Sequence, residues 1–260
     1  MKRLEPPHAG LEAEQPFVAH LIELRDRLIK SLLVVGLIFL VMSFWSNQVY
    51  AYLAGPLTQH LPPGAQMIAI GVASPFLAPL KLTLIAAVFV GMPFVLYQAW
   101  AFVAPGLYQH EKRLALPLLI ASILLFYAGI AFAYFVVFPL IFQFMVMTAP
   151  PGVAVMTDIN QYMDFVLTLF MAFGVSFQVP IATILVVATG LVSREAITEL
   201  RPYAIVIAFI IGAVLTPPDV VSQVLLAVPI WLLFELGLIF SRFFVNRASS
   251  DNALTPSDQP

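Results

Sequence analysis

Two carboxylates, Glu23 and Glu111, stand in short polar stretches beside long apolar runs, with Arg25, Arg27 and Lys30 near the first and Lys112 and Arg113 beside the second. A carboxylate so placed can accept the forked N–H donors of an arginine, a bidentate fit that lysine cannot make. It can also pair locally, Glu23 with Arg27 at i, i+4 spacing and Glu111 with Lys112 or Arg113, for about 0.2–0.5 kcal/mol. Three further polar groups belong to the apolar part of the chain: Gln178, Glu235 and, at a turn between two runs, Asp219. Other chemistry finds little footing. His8, His20, His60 and His110 include no i, i+4 pair that would put two metal ligands on one helical face, and there is no cysteine. Phe173-Gly174-Val175-Ser176-Phe177 does not match the G-x-S-x-G nucleophile elbow, and no P-loop is present. No metal, cofactor or catalytic residue is expected, so the candidate chemistry is binding.

The elements that position these groups are apolar. Of the 260 residues 61% are hydrophobic and 10% charged, against roughly 25% charged in soluble domains. Runs of about 18 residues or more match the 30 Å hydrocarbon layer at 1.5 Å rise per residue. An all-α membrane protein follows, with six transmembrane helices: Leu28–Trp45, Leu80–Tyr97, Leu114–Phe138, Phe165–Ala188, Tyr203–Leu215 and Val220–Phe240. The amphipathic stretch from Pro16 to Lys30 leads into the first. Pro139 ends or bends the third and Pro180 kinks the fourth. The fifth and sixth are the short pair; Tyr203–Leu215 gives only about 20 Å of helix, so the bilayer thins there or the pair forms a re-entrant hairpin. The outer connections, one containing Pro56, are expected to form periplasmic cap loops. One transmembrane domain, residues 17–244, is flanked by flexible tails at 1–16 and 245–260, and the polar start argues against a cleavable signal peptide.

Basic residues orient the chain. Lys2, Arg3, Arg25, Arg27, Lys30, Lys112, Arg113, Arg194, Arg201, Arg242 and Arg247 fall on one side of this six-segment arrangement, and Lys81 alone on the other. The positive-inside rule then puts both termini in the cytoplasm. A net charge of −2 without a concentrated basic face excludes nucleic-acid binding. A small-solute secondary transporter is the alternative function, but a proton or ion pathway needs a chain of ionisable residues through the bilayer, and none is visible. An intramembrane enzyme lacks its nucleophile.

The motifs themselves carry a resemblance. His20-Leu21-Ile22-Glu23-Leu24-Arg25-Asp26-Arg27-Leu28 resembles the N-terminal signature of the TatC family, the multispanning receptor subunits of the twin-arginine protein translocase. Val72-Ala73-Ser74-Pro75-Phe76, Phe102-Val103-Ala104-Pro105-Gly106-Leu107-Tyr108 with Glu111, Phe173 to Phe177, and Leu215-Thr216-Pro217-Pro218-Asp219 are similar to further family motifs in the same order, covering Phe17 to Phe244. The resemblance implies a bacterial inner-membrane protein that binds twin-arginine signal peptides of folded cargo and works with TatB and TatA, several copies together, driven by the proton-motive force. It implies that Glu23 and Glu111 contact the arginine pair, with Arg25, Arg27, Phe102, Pro105 and Leu107 shaping the site, and that Pro56, Thr216 and Asp219 serve structure or later steps. It also implies a glutamate where this chain has Gln178, which cannot titrate. Gln178 is thus expected either to bind a polar partner residue or to join helices within the protein.

Overall fold

The structure, a computed structural model, describes residues 11–51, 67–103, 112–148, 157–188, 192–215 and 220–253. Nearly everything described is helical, as lipid demands: a helix satisfies its own backbone where no water can. Helix α1 spans Leu11–Ser43, α2 Ser74–Val103, α3 Lys112–Phe132, α4 Phe138–Thr148, α5 Ile159–Ser176, α6 Val179–Ala188, α7 Arg194–Glu199, α8 Arg201–Leu215 and α9 Val220–Ala253. Four stretches are long and apolar enough to cross a membrane: Ser74–Val103, Ala115–Ile141, Ile159–Val187 and Gln223–Ser241. In α1 the charges of Asp26, Arg27 and Lys30 confine the uncharged stretch to residues after Lys30, and α8 has only 15 residues. Backbone helix extends into both stretches expected to be tails, from Leu11 and as far as Ala253.

Prolines shape these helices without ending them. Sequence expects Pro139 to end or bend the third segment; it does not end it, and the helix runs on to Thr148 through a π turn at Ala133–Val137, where Phe138 N–H donates to the Ala133 carbonyl. One extra residue in the turn accommodates the proline ring and its missing N–H. Pro93 deprives the Phe89 carbonyl of its i+4 donor, and the Tyr127 hydroxyl reaches across from α3 to donate to it at 2.9 Å. The kink expected at Pro180 lies just before it, where Phe177 and Gln178 form a turn between α5 and α6. That is the region a proline biases away from helix.

Neighbouring helices alternate in direction: His20 meets Phe102 and Val35 meets Gly91 between α1 and α2, and Trp100 meets Ser122 between α2 and α3. Where chains come closest, glycine permits it. A Cβ on Gly129 of α3 would lie 2.6 Å from the Phe173 carbonyl oxygen, and one on Gly174 of α5 would lie 2.7 Å from the Phe126 ring. The same holds for Gly237 of α9 against Pro180 at 2.9 Å and Gly212 of α8 against the Gln223 carbonyl at 3.0 Å. Close packing supplies helix association in lipid, where apolar burial gives no net drive. Phe138, Ile141, Met163, Phe173 and Leu226 fill the centre.

The short strands Met67–Ile68 (β1) and Thr157–Asp158 (β2) pair in parallel, tying the approaches to α2 and α5 together. Asp158 then caps α5 by accepting from Asn160 N–H at 2.7 Å, and the Asn160 amide donates to Ser74 Oγ at the start of α2. The bundle therefore has two distinct ends, one carrying Ser74 and Asp158 and the other Glu23.

Candidate functional site

At the Glu23 end, α1 and α2 are joined by polar and aromatic contacts. Arg27 lies one turn after Glu23 on α1 and sends two donors to a single oxygen, Nε at 2.9 Å and Nη2 at 2.7 Å from Oε1. Its third donor, Nη1, reaches Gln98 Oε1 on α2 at 3.2 Å. Ser31 Oγ donates to the Arg27 carbonyl, and His20 stacks on Phe102 with ring centroids 4.1 Å apart. Gln98 is buried, whereas the Glu23 and Arg27 side chains keep 38% and 25% of their exposure. An ion pair this open to solvent is worth about 0.2–1 kcal/mol, so an outside guanidinium can exchange with it.

The fold brings Glu23, Arg27 and Phe102 together, with His20 and Gln98 added as neighbours. Arg25, two residues from Glu23 and hence on another face of α1, pairs with Asp26 at 2.8 Å in the solvent. Glu111, Pro105 and Leu107 lie outside the described residues, as do Pro56, Thr216 and Asp219. Glu111 immediately precedes Lys112, the first residue of α3.

Gln178 belongs to a different arrangement. It sits in the turn between α5 and α6, and its Nε2 donates to the Ser122 carbonyl of α3 at 2.9 Å. Ser122 Oγ in turn accepts from Trp100 Nε1 at 3.0 Å. Three parts of the chain therefore meet at Ser122, which is buried. Trp100 comes from the last turns of α2, between Gln98 and Phe102. Residues at i, i+2 and i+4 alternate across a helix, so α2 faces α1 with Gln98 and Phe102 and α3 with Trp100.

Two ion pairs escaped the sequence. Lys81, the one basic residue expected on the opposite side, meets Asp164 of α5. Glu235 of α9 accepts from Arg201 Nη2 of α8 at 2.9 Å. The second was recoverable: Arg201 and Glu235 lie almost equally far along the chain from the break between α8 and α9, as Gly212 and Gln223 do, and antiparallel packing of the two helices brings each pair level. Among the described residues no group of three or more His, Asp or Glu could hold a metal.

Long apolar helices and glycine-tight crossings define a multi-pass α-helical membrane protein, with an arginine–carboxylate pair at one end. The family model for the Sec-independent protein translocase protein (TatC) matches residues 19–229. The Sec-independent protein translocase protein TatC of Azotobacter chroococcum mcd 1 is 56% identical over 94% of this chain and 97% of its own. That of Escherichia coli K12 is 53% identical, over 92% of both. A crystal structure of the twin arginine translocase receptor TatC superposes with a TM-score of 0.77 at 36% identity, covering 86% of this chain and 98% of that one. A second, in the detergent DDM, gives 0.78 at 36% identity over 85% and 99%. The chain belongs to the TatC family: it is a component of the Sec-independent protein translocase, a transport subunit and not an enzyme.

Proposed function

We propose that this protein is the receptor subunit of a twin-arginine translocase, which binds the twin-arginine signal peptides of folded proteins at its cytoplasmic face. The observation that supports it best is the Glu23 carboxylate, already engaged by a guanidinium and still open to solvent at the junction of α1 and α2. Glu111, next to Lys112 in the chain, is the second acid, and Arg27, Phe102, Pro105 and Leu107 complete the surface, with Arg25 at its edge on the adjoining face of α1. The helices cross the bacterial inner membrane six times with both termini in the cytoplasm, a reading favoured by alternating helix direction and by eleven of twelve basic residues on one side. Lys81, the exception, has Asp164 as its counter-ion.

A folded cargo domain is tens of ångströms wide and cannot pass through a side-chain-filled bundle. The protein therefore acts as an assembly platform for TatB and TatA, in several copies, during export driven by the proton-motive force. Short α8 offers a flank where the bilayer is thin and a partner helix can dock; Thr216, at its end, belongs to that flank, and Pro56 and Asp219 shape the outer side. Gln178, bonded to Ser122, serves the fold here, with any partner contact made through amide hydrogen bonding.

The test is binding of purified protein to a labelled signal peptide carrying Arg-Arg or Lys-Lys. Glu23→Ala and Glu111→Ala should each weaken the Arg-Arg peptide, and Lys-Lys should bind far less well to the wild type. Equal affinity for the two peptides defeats the proposal.

A further inference from the structure

The Glu23 carboxylate is occupied before any peptide arrives. Arg27 covers Oε1 with the Nε–Nη2 edge, the side of a guanidinium that makes forked contacts to carboxylates. An incoming arginine seeks the same lone pairs. Its own charge also opposes approach while Arg27 stays in place. Gln98 supplies what an exchange needs: a buried neutral oxygen on another helix, already accepting from Arg27 Nη1, able to keep hold of the guanidinium once its fork is released. The stem is anchored independently, since Ser31 Oγ holds the backbone carbonyl of Arg27.

We propose that Arg27 is an internal stand-in for the guanidinium of the signal peptide, occupying Glu23 in the empty receptor and swinging onto Gln98 when an arginine peptide displaces it. This rests on the reading of Glu23 as an arginine-recognising acid. The stand-in keeps a carboxylate at the membrane surface from standing bare, and it lowers the affinity of every cationic ligand by the same factor. Apparent affinity falls by the fraction of receptors in which the site is open. For a pair of this exposure the reduction is about two- to fivefold.

Anisotropy titration of an Arg-Arg peptide against the full-length protein in detergent distinguishes the outcomes. Arg27→Lys keeps the charge and loses the fork, and should bind the peptide about two- to fivefold tighter than wild type. Gln98→Ala removes the oxygen that holds the displaced Arg27, and should weaken binding in the wild type but not beside Arg27→Gln. Glu23→Gln should weaken binding about tenfold or more. A damaged fold weakens binding, so a gain in Arg27→Lys supports the stand-in, and Arg27→Gln, which also loses the fork and should also bind tighter, carries the test if Arg27→Lys does not elute as wild type. Unchanged or weaker binding in both Arg27 variants, with Glu23→Gln impaired, overturns it while sparing the reading of Glu23. If Glu23→Gln binds as wild type, that reading falls and takes the stand-in with it.

Discussion

Arg27 and Trp100 both carry a polar link from one helix to another, about a turn apart along the bundle, and they do so in opposite ways. Arg27 bonds Glu23 in partial contact with water, where the ion pair has an aqueous substitute, and reaches the buried Gln98 with its remaining terminal nitrogen. Trp100 bonds a buried Ser122 whose carbonyl is taken by Gln178, where no substitute exists. A solvent-screened pair opens cheaply and can serve exchange with a ligand. Buried polar groups are costly to leave unpaired and so hold a geometry. The two sit back to back on α2, so the buried link keeps Gln98 and Phe102 pointed at α1 while the exposed pair turns over.

The largest effect should come from prying apart the crossing on which the buried link stands. Gly129→Val puts a branched side chain where a Cβ already lies 2.6 Å from a backbone oxygen. It should cost about 1–3 kcal/mol or prevent folding, read as a lowered melting temperature or loss of the monodisperse peak. Next, Glu23→Gln should leave thermal stability within about 0.5 kcal/mol of wild type while reducing Arg-Arg peptide affinity. Equal losses of stability and binding would merge the two regions into one structural unit. Trp100→Phe keeps an aromatic ring but removes the donor and part of the indole's volume, and should cost about 1–2 kcal/mol. A double-mutant cycle with Ser122→Ala should show coupling, and strict additivity would mean that the bond contributes nothing. Smallest of all, Arg25→Gln should shift stability by less than about 0.5 kcal/mol, because its partner Asp26 is equally solvated.

Much of the architecture was legible in the chain. Apolar run lengths predicted the helices, although α2 begins six residues before the expected Leu80 and ends six beyond Tyr97. Proline was read too simply. Pro75 is harmless in the first turn of α2, where an N–H has no intrahelical partner; Pro93 is tolerated because Tyr127 serves the carbonyl it frees, and Pro139 because a π turn precedes it. The site was half legible: i, i+4 spacing foretold the Glu23–Arg27 pair, but nothing local announced Gln98, Trp100 or Ser122 as its support.

By itself the sequence determined what depends on each segment alone: which stretches lipid can solvate, which of them are helical, and which segments the cations flank. Those properties follow from composition and from the short-range repeat of a helix. Only the tertiary structure decided that Arg27 is shared between α1 and α2 and that Gln178 turns inward to Ser122. Partners far apart in the chain meet only when helix faces are chosen. Close contacts at Gly91, Gly129, Gly174, Gly212 and Gly237 make that choice, because in hydrocarbon it is fit between surfaces, not aversion to solvent, that selects one face over another.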